Sequence, residues 1–206
     1  MKPAKPTRSG PPATAAQGQN QLRIIGGSWR GRKLNFPSVD GLRPTGDRIR
    51  ETLFNWLQPE IQQARCLDLF AGSGALGVES LSRGAAQVTF IETHTQAANE
   101  LVKNIALLKA DNAQVLRTDA VHWLAQGNKG EPYHIVFMDP PFALNLWQSV
   151  IDALEAGNWL AEDATIYVEA PRDGQAFQVP MNWQLHRDKN AGQVSYRLYY
   201  REANKA

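Results

Sequence analysis

Four consecutive residues near the middle of the chain, Asp139-Pro140-Pro141-Phe142, bring a carboxylate, two prolines and an aromatic ring together directly after an apolar run. The prolines fix the backbone, and Pro140 keeps its carbonyl as an acceptor while it has no N–H to donate. The Asp139 carboxylate and the Pro140 carbonyl can therefore accept both hydrogens of one NH2 group. Two such acceptors favour a pyramidal nitrogen whose lone pair points at an electrophile, which stabilises the developing charge.

Phe142 extends this motif, since its ring can stack on a flat substrate at a gain of roughly 1–3 kcal/mol per base. The motif therefore predicts a site that makes a poorly nucleophilic amide or base nitrogen react. The same residues, taken alone, also fit a rigid strand exit followed by a core phenylalanine.

A glycine-rich turn, residues 68–74 with the sequence DLFAGSG, joins an apolar run to a helical segment. Gly72 and Gly74 allow the backbone to turn sharply and to approach a ligand closely. Phe70 stands where a dinucleotide fingerprint needs a glycine, and no Lys-Ser/Thr pair follows as in a P-loop. With Asp68 at its start, the turn favours a cationic or amine-bearing ligand over a pyrophosphate, although a plain strand-to-helix turn remains an alternative.

Two further carboxylates follow the next predicted strands. Glu92 ends the second strand, where a carboxylate can accept hydrogen bonds from both ribose hydroxyls. Asp119 ends the third strand and could read an adenine amino group, although either residue could equally be a helix N-cap. Ligands of an open α/β sheet bind beyond the carboxyl ends of the strands, so these acidic residues and the Asp139 motif predict one shared site.

The sheet that positions these residues follows from a regular alternation that begins at Arg65. Apolar runs predict strands over 66–70, 88–92, 114–119, 134–139 and 165–170, and amphipathic patterns predict helices over 75–82, 96–109, 120–126 and 146–156. Two alternating segments, WQLHRDK and VSYRLYY, predict an antiparallel hairpin around Asn190-Ala191-Gly192. We therefore expect an α/β fold with a doubly wound, mostly parallel sheet of seven strands.

The chain is basic at its start and acidic elsewhere. Residues 1–50 carry a net charge of +8 and residues 51–206 carry −6. This asymmetry favours a polyanion partner for the first quarter of the chain, although a solvated basic tail would show the same charge.

Three regions are predicted from this pattern. Residues 1–21 are rich in Pro, Ala, Gln and Gly and are predicted to be disordered. Residues 22–60 form a basic extension, with a β-hairpin over 22–34 and a helix over 47–57 that Thr45 or Asp47 caps and Pro59 stops. Residues 61–202 form the sheet domain.

Several classes of protein are disfavoured. The single Cys66 excludes a disulfide framework and a cysteine zinc cluster, fits a reducing cytoplasm, and is expected to be a small buried apolar residue rather than a nucleophile. The four histidines lack metal-ligand spacing, so no metal is expected. No apolar run approaches the ~18 residues of a membrane helix, and no secretory signal is recognisable.

Together, DLFAGSG, the acidic strand end at Glu92 and DPPF resemble the class I S-adenosylmethionine-dependent methyltransferases that act on exocyclic amines. The segments RIIGGSWRGRKL and LRPTGDRIRETLFNWL resemble one branch, the RsmD family, and the resemblance runs from about residue 22 to residue 200. It implies a Rossmann-like enzyme that methylates N2 of guanine 966 in bacterial 16S ribosomal RNA. The partner would be the small ribosomal subunit or an assembly intermediate, and we expect a cytoplasmic monomer.

The resemblance also implies roles for individual residues. S-adenosyl-L-methionine would be bound by Asp68, Phe70, Ala71, Gly72, Ser73, Gly74, Glu92, Asp119 and Ala120. The target amine and its guanine would be held by Asp139, Pro140 and Phe142. RNA would be contacted by Arg23, Arg30, Arg32, Lys33, Arg43, Arg48 and Arg50, of which the last two could also face the cofactor.

Three alternatives remain open at this point. The same motifs occur in adenine-N6 and protein glutamine-N5 methyltransferases. A small-molecule methyltransferase would leave the basic quarter unexplained, and a non-catalytic RNA-binding protein would not require Asp139 or the two glycines.

Overall fold

A computed structural model describes residues 20–39 and 45–203 of the chain. Within these residues, two short strands precede the first helix and a sheet of seven strands follows. The strands are β1 Asn20–Arg23, β2 Lys33–Phe36, β3 Arg65–Asp68, β4 Gln87–Ile91, β5 Ala113–Leu116, β6 Tyr133–Met138, β7 Leu160–Pro171, β8 Trp183–Ala191 and β9 Val194–Arg201. The helices in the described part of the chain are α1 Asp47–Trp56, α2 Ala75–Ser82, α3 Thr95–Leu108, α4 Ala120–Leu124 and α5 Trp147–Ala156, and a 3-10 turn runs over Phe142–Leu144.

The large sheet has the strand order β5-β4-β3-β6-β7-β9-β8. Strands β3 to β7 pair in parallel, whereas β9 is antiparallel to both β7 and β8. The predicted fold class, with its terminal antiparallel hairpin, is therefore confirmed. Strands β3, β4 and β5 follow one another outward in the sheet, and the chain then crosses back to place β6 on the other side of β3. The strand order therefore reverses at β3, and sheets of this kind bind ligands at such a point.

Each face of the sheet is covered by helices, because alternate residues of a buried strand point to opposite sides. Cys66, Phe137 and Tyr167 pack on one face, against a cluster that includes Phe54 of α1 and Leu101 of α3. The opposite face carries side chains of β6 and β7 that pack against α4 and α5. The N-terminal helix α1 thus belongs to the same core as the centre of the sheet.

The N-terminal strands form the predicted hairpin, with Leu22 opposite Leu34. The segment between them lies on α2, since the Ser28 N–H donates to the Ser82 carbonyl at 2.7 Å. Gly27 has a left-handed backbone, with φ of 72°, and a Cβ there would collide with the same carbonyl. Position 27 therefore requires glycine for the hairpin to seat on α2.

The helix predicted over 47–57 is confirmed as α1, but its predicted cap is wrong. Gly46 is the N-cap residue, and none of the described side chains caps the helix. Asp47 is the first helical residue and pairs with Arg50 at 2.6 Å, while the Thr45 hydroxyl is used elsewhere. Residues 1–19 of the predicted tail lie outside the described residues. The prediction is wrong for Asn20 and Gln21, which begin β1 because they pair with Phe36 and Asn35 of β2. The boundary between residues 60 and 61 stays a prediction.

The described residues contain no helix with the length and apolar character required to cross a bilayer. Among the same residues, no group of three or more His, Cys, Asp and Glu side chains is arranged to hold a metal ion. Cys66 is fully buried in β3, and burial raises the pKa of its thiol.

Candidate functional site

The carboxyl edge of the parallel strands brings the predicted acidic residues together. Asp68 ends β3, Asp139 follows β6, and Glu92 and Asp119 follow β4 and β5. The register places Asp68 beside Phe137 on β6, so the ends of the two central strands are level. The four predicted carboxylates therefore lie at four neighbouring strand ends.

The glycine-rich turn between β3 and α2 has a fixed shape. Gly74 is the N-cap of α2 with φ of 78°, and a Cβ there would collide with Leu101. The Gly74 N–H donates to the Ala71 carbonyl at 2.6 Å, and the Ala71 N–H donates to the Ile91 carbonyl at 2.9 Å. The turn is thus tied to β4. Of the other predicted cofactor residues in it, Ala71 and Ser73 are buried and Phe70 is partly buried.

Asp68 lies beneath this turn and is buried. Its Oδ2 accepts a hydrogen bond from the Gly77 N–H at 3.0 Å. Burial raises the pKa of Asp68 to about 7, because the Gly77 hydrogen bond offsets only part of the desolvation and the charge of Glu92 adds to it. A cationic ligand group at this edge would favour the ionised form of Asp68.

Glu92 is held at the end of β4 by two main-chain donors. Its Oε2 accepts from the Gly72 N–H at 2.7 Å, and its Oε1 accepts from the His94 N–H at 2.6 Å. Each carboxylate oxygen has a second lone pair, so both oxygens can still accept from a ligand. The side chain is therefore oriented in advance to receive two adjacent hydroxyl groups.

Asp119 is the N-cap of α4, with its Oδ1 accepting from the His122 N–H at 2.8 Å. The capping role that the sequence left open is thus real. Asp119 is exposed and retains its second oxygen for a ligand, while Ala120, the first residue of α4, is buried.

The Asp139 corner lies at the end of β6. Pro140 is buried, and Phe142 opens the 3-10 turn with 37% of its surface exposed. The Phe142 ring lies 5.8 Å from that of Trp147, which is stacked at 6.3 Å on Phe177. The corner therefore combines two acceptors with the exposed edge of a row of aromatic rings.

Glu169 is a neighbour of this corner that the sequence reasoning did not single out. Burial and the charges of Glu169 and Asp68 raise the pKa of Asp139 well above its ordinary value. Glu169 itself is almost fully buried at the end of β7. An acidic residue near the end of the apolar segment TIYVEA is the same signal that identified Asp68 and Asp139.

The predicted RNA-binding residues divide into three groups. Arg23, Arg30, Arg32, Lys33 and Arg48 are exposed. Arg43 lies outside the described residues. Arg50 is fully buried, donates to the Arg23 carbonyl at 2.9 Å, and lies 3.6 Å from the Glu79 carboxylate. The prediction that Arg50 contacts RNA or cofactor is therefore wrong, because this side chain joins α1, β1 and α2 inside the core.

Comparison with known proteins agrees with the motifs. A family model described as conserved hypothetical protein 95 matches residues 22–200. The ribosomal RNA small subunit methyltransferase D of Escherichia coli (strain K12) is 58% identical over 186 residues, which cover 90% of this chain and 93% of that protein. The protein of the same name from Haemophilus influenzae is 49% identical over 183 residues, which cover 88% and 94%.

A solved structure described as the putative methyltransferase yhhF from Escherichia coli shares the fold with a TM-score of 0.83 and 54% identity. The match covers 90% of this chain and 100% of that one. The match of the family model and the identity to these relatives extend over both the N-terminal hairpin and the sheet. The chain therefore belongs to the RsmD family of methyltransferases, as its motifs predicted.

Proposed function

We propose that this protein transfers the methyl group of S-adenosyl-L-methionine to the exocyclic N2 of guanine 966 in 16S ribosomal RNA. The observation that carries the proposal is the Asp139-Pro140 corner, whose two acceptors follow β6 at the same sheet edge as the glycine-rich turn and are followed in the chain by the partly exposed Phe142. The names of the relatives, which specify the RNA of the small ribosomal subunit, support an RNA substrate. Such a substrate implies a cytoplasmic enzyme.

The residues at the carboxyl ends of β3, β4 and β5 fit this cofactor. Glu92 presents two oriented oxygens that suit the ribose hydroxyls, and the free oxygen of Asp119 suits an adenine amino group. Asp68 is a buried carboxylate that suits the ammonium group of the methionine part. Gly72, Gly74 and their neighbours supply a turn that a ligand can approach closely.

When bound, S-adenosylmethionine supplies an electrophilic methyl carbon on a sulfonium, so the protein chiefly positions the two reactants. The Asp139 carboxylate and the Pro140 carbonyl would accept the two N–H groups of the target amine and favour a pyramidal nitrogen with an available lone pair. Methylation would leave that nitrogen with a positive charge, which the two acceptors would stabilise. One N–H proton must then leave to restore a neutral amine.

RNA would reach the site along the basic N-terminal hairpin, where Arg23, Arg30, Arg32 and Lys33 are exposed. We expect binding to weaken with salt by ~0.7 log units per log unit of salt for each phosphate neutralised in a single strand. A variant with Arg30, Arg32 and Lys33 changed to Gln should show a shallower salt dependence in a filter-binding titration. A control variant of equal charge changes three other exposed cations, Lys129 before β6 and Arg187 and Lys189 on the edge strand β8, and an equal loss in both variants would contradict the hairpin as the docking surface.

The decisive experiment is transfer of a deuterated methyl group from S-adenosylmethionine to unmethylated small subunits, and separately to naked 16S RNA. Mass spectrometry of the digested nucleosides should find labelled N2-methylguanosine, and mass spectrometry of oligonucleotide fragments should find the label at guanine 966 alone. Label on adenine N6, on a protein glutamine, or on neither RNA nor protein would refute the proposal. The comparison of the two substrates identifies the form of RNA that the enzyme recognises.

A further inference from the structure

Glu169 lies directly beside Asp139 at the inner end of the site. Strands β6 and β7 are parallel neighbours, with Met138 beside Val168, so the next residues, Asp139 and Glu169, are also level. Adjacent strands lie about 4.8 Å apart, and level side chains point to the same face of a sheet. Asp139 and Glu169 therefore project together toward the face that carries Tyr167 and that α1 covers.

Two opposing influences act on the Glu169 carboxyl: burial raises its pKa, and two hydroxyl donors lower it. Its side chain belongs to a residue that is only 4% exposed, and its Oε1 accepts a hydrogen bond from the Tyr167 hydroxyl at 2.7 Å. The Thr45 hydroxyl, just ahead of α1, provides a second hydrogen bond to the carboxylate. Within residues 20–39 and 45–203, no Lys or Arg forms an ion pair with Glu169. An ionised carboxylate buried without a cationic partner destabilises a fold, so stability does not account for Glu169 at this position.

That use concerns the proton released after methyl transfer. An ordinary aspartate is a weak base at neutral pH, and general-base catalysis is most effective when the pKa of the base is near the working pH. The negative charge of Glu169 raises the pKa of Asp139, and burial acts in the same direction. The groups that face Glu169 are Asp139 after the neighbouring strand β6, Tyr167 on its own strand, Tyr196 level with it on β9 and Thr45 ahead of α1. Asp68, one strand further away on β3, acts on Asp139.

We propose that Glu169 is a positioning residue for the amine step: its carboxylate, held by the Tyr167 and Thr45 hydroxyls, strengthens the neighbouring Asp139 as acceptor of the proton that the methylated amine sheds. In this step the N–H bond breaks, its electron pair stays on nitrogen, and the proton bonds to a carboxylate oxygen of Asp139. The role rests on the proposed function, because it requires an amine substrate at the Asp139 corner.

Glu60 provides a matched control for Glu169. Its Oε1 accepts from the Tyr200 hydroxyl and its Oε2 from the Thr165 hydroxyl, both at 2.6 Å. The same pair of donor types therefore holds both glutamates. Thr165, however, is level with Ile135 near the start of β6, so Glu60 lies at the amino edge of the sheet, away from the site.

The test is the pH dependence of single-turnover methyl transfer to the RNA at saturating cofactor, measured for the wild type, Glu169→Gln and Glu60→Gln. Glu169→Gln should move the acidic limb of the profile to lower pH by about one unit and lower the rate at pH 8 about three- to tenfold, because Asp139 becomes a weaker base. The cofactor Kd and the RNA KM should stay within about twofold of the wild type. Glu60→Gln should reproduce the wild-type profile.

An unchanged acidic limb in a folded Glu169→Gln variant that binds cofactor normally would overturn the proposal, as would an equal shift in Glu60→Gln. Tyr167→Phe provides a second variant if Glu169→Gln fails to fold. It should shift the limb in the same direction but less, because the Glu169 anion loses one donor, and no shift would count against the proposal. A wild-type enzyme that makes no N2-methylguanosine would instead refute the proposed function itself, and the role of Glu169 with it.

Discussion

The outer and inner halves of the carboxyl edge hold their carboxylates in different ways. On the outer half, Glu92 and Asp119 accept hydrogen bonds from main-chain N–H groups at the starts of helices. On the inner half, Asp139 and Glu169 are close to each other, burial raises the pKa of both, and the hydrogen bonds to Glu169 come from side-chain hydroxyls. Main-chain groups orient Glu92 and Asp119, so these two carboxylates suit a ligand that is recognised by the positions of its hydrogen-bond donors. The pKa values of Asp139 and Glu169 are raised by their surroundings, so these two carboxylates suit a step that transfers a proton.

Replacing Asp139 should give the largest effect and break the inner half alone. Asp139→Ala removes both an acceptor for the amine and the proton acceptor, so we expect the single-turnover rate to fall at least about 1000-fold. Isothermal titration should find the cofactor Kd within about twofold of the wild type. A large loss of cofactor affinity would show that the two halves are not functionally separate.

The reciprocal variant, Glu92→Ala, should break the outer half. The loss of two charge-assisted hydrogen bonds to the ribose should weaken cofactor binding by about 10- to 100-fold. At saturating cofactor, the transfer rate should remain within about threefold of the wild type. A rate that stays low at saturation would contradict the assignment of Glu92 to binding alone.

Asp68 lies between the halves, and its pKa of about 7 predicts a pH dependence of cofactor binding. If the ammonium group binds ionised Asp68, affinity should rise roughly tenfold from pH 5.5 to 7.0 as the carboxyl loses its proton. Titrations in this range should show the rise for the wild type and a flat, weak affinity for Asp68→Asn.

The pH dependence of folding stability has the opposite sign to the pH dependence of cofactor binding. The folded pKa of Asp68 lies above its ordinary value of 3.8, so the unliganded folded state holds a proton that the unfolded state releases. The contribution of this group to stability is therefore greatest below about pH 4 and is lost as the pH rises through 7. Thermal unfolding at pH 8 should find unliganded Asp68→Asn at least as stable as the wild type, and a marked destabilisation would contradict the raised pKa.

The smallest effect should come from variants of Asp119, which distinguish its role as the N-cap of α4 from a role in ligand binding. Asp119→Ala should lower the free energy of unfolding by about 1 kcal/mol, whereas Asp119→Asn should preserve it, because asparagine is an equally good cap. Chemical denaturation checks both values. If Asp119 also contacts adenine, cofactor affinity should fall a few-fold in both variants. An unchanged affinity in Asp119→Asn would leave capping as its role.

Most of the sheet and four of its acidic residues were predictable, because a buried parallel strand stays apolar until its carboxyl end. Glu169 carries the same signal, but the predicted strand ran on to residue 170 and the acid lay inside it. The structure shows that β7 indeed continues to Pro171, so the acid belongs to the strand and still reaches the site. When a strand extends beyond its neighbours, its own sequence does not show the level at which the neighbouring strands end.

Arg50 shows what local patterns could not predict. In sequence it is one more cation in a basic segment, and its partner Glu79 lies on a different helix. Only the packing of α1 against α2 decides that this arginine is inside and Arg48 outside. The prediction that Thr45 caps α1 was wrong for a similar reason. The Thr45 hydroxyl forms a hydrogen bond with Glu169, which is distant in sequence.

Helix α2 carries the glycine-rich turn at its start and the N-terminal hairpin along its side. Its Glu79 accepts from the Ile25 N–H at 2.9 Å and lies against Arg50, while Ser82 accepts from the Trp29 N–H at 3.0 Å. A chimera whose new hairpin lacked a glycine at position 27 would collide with the Ser82 carbonyl, and one that also replaced α1 would remove Arg50 from the buried Glu79 carboxylate. A hairpin taken from a relative is therefore expected to fit best when α1 and α2 are exchanged with it.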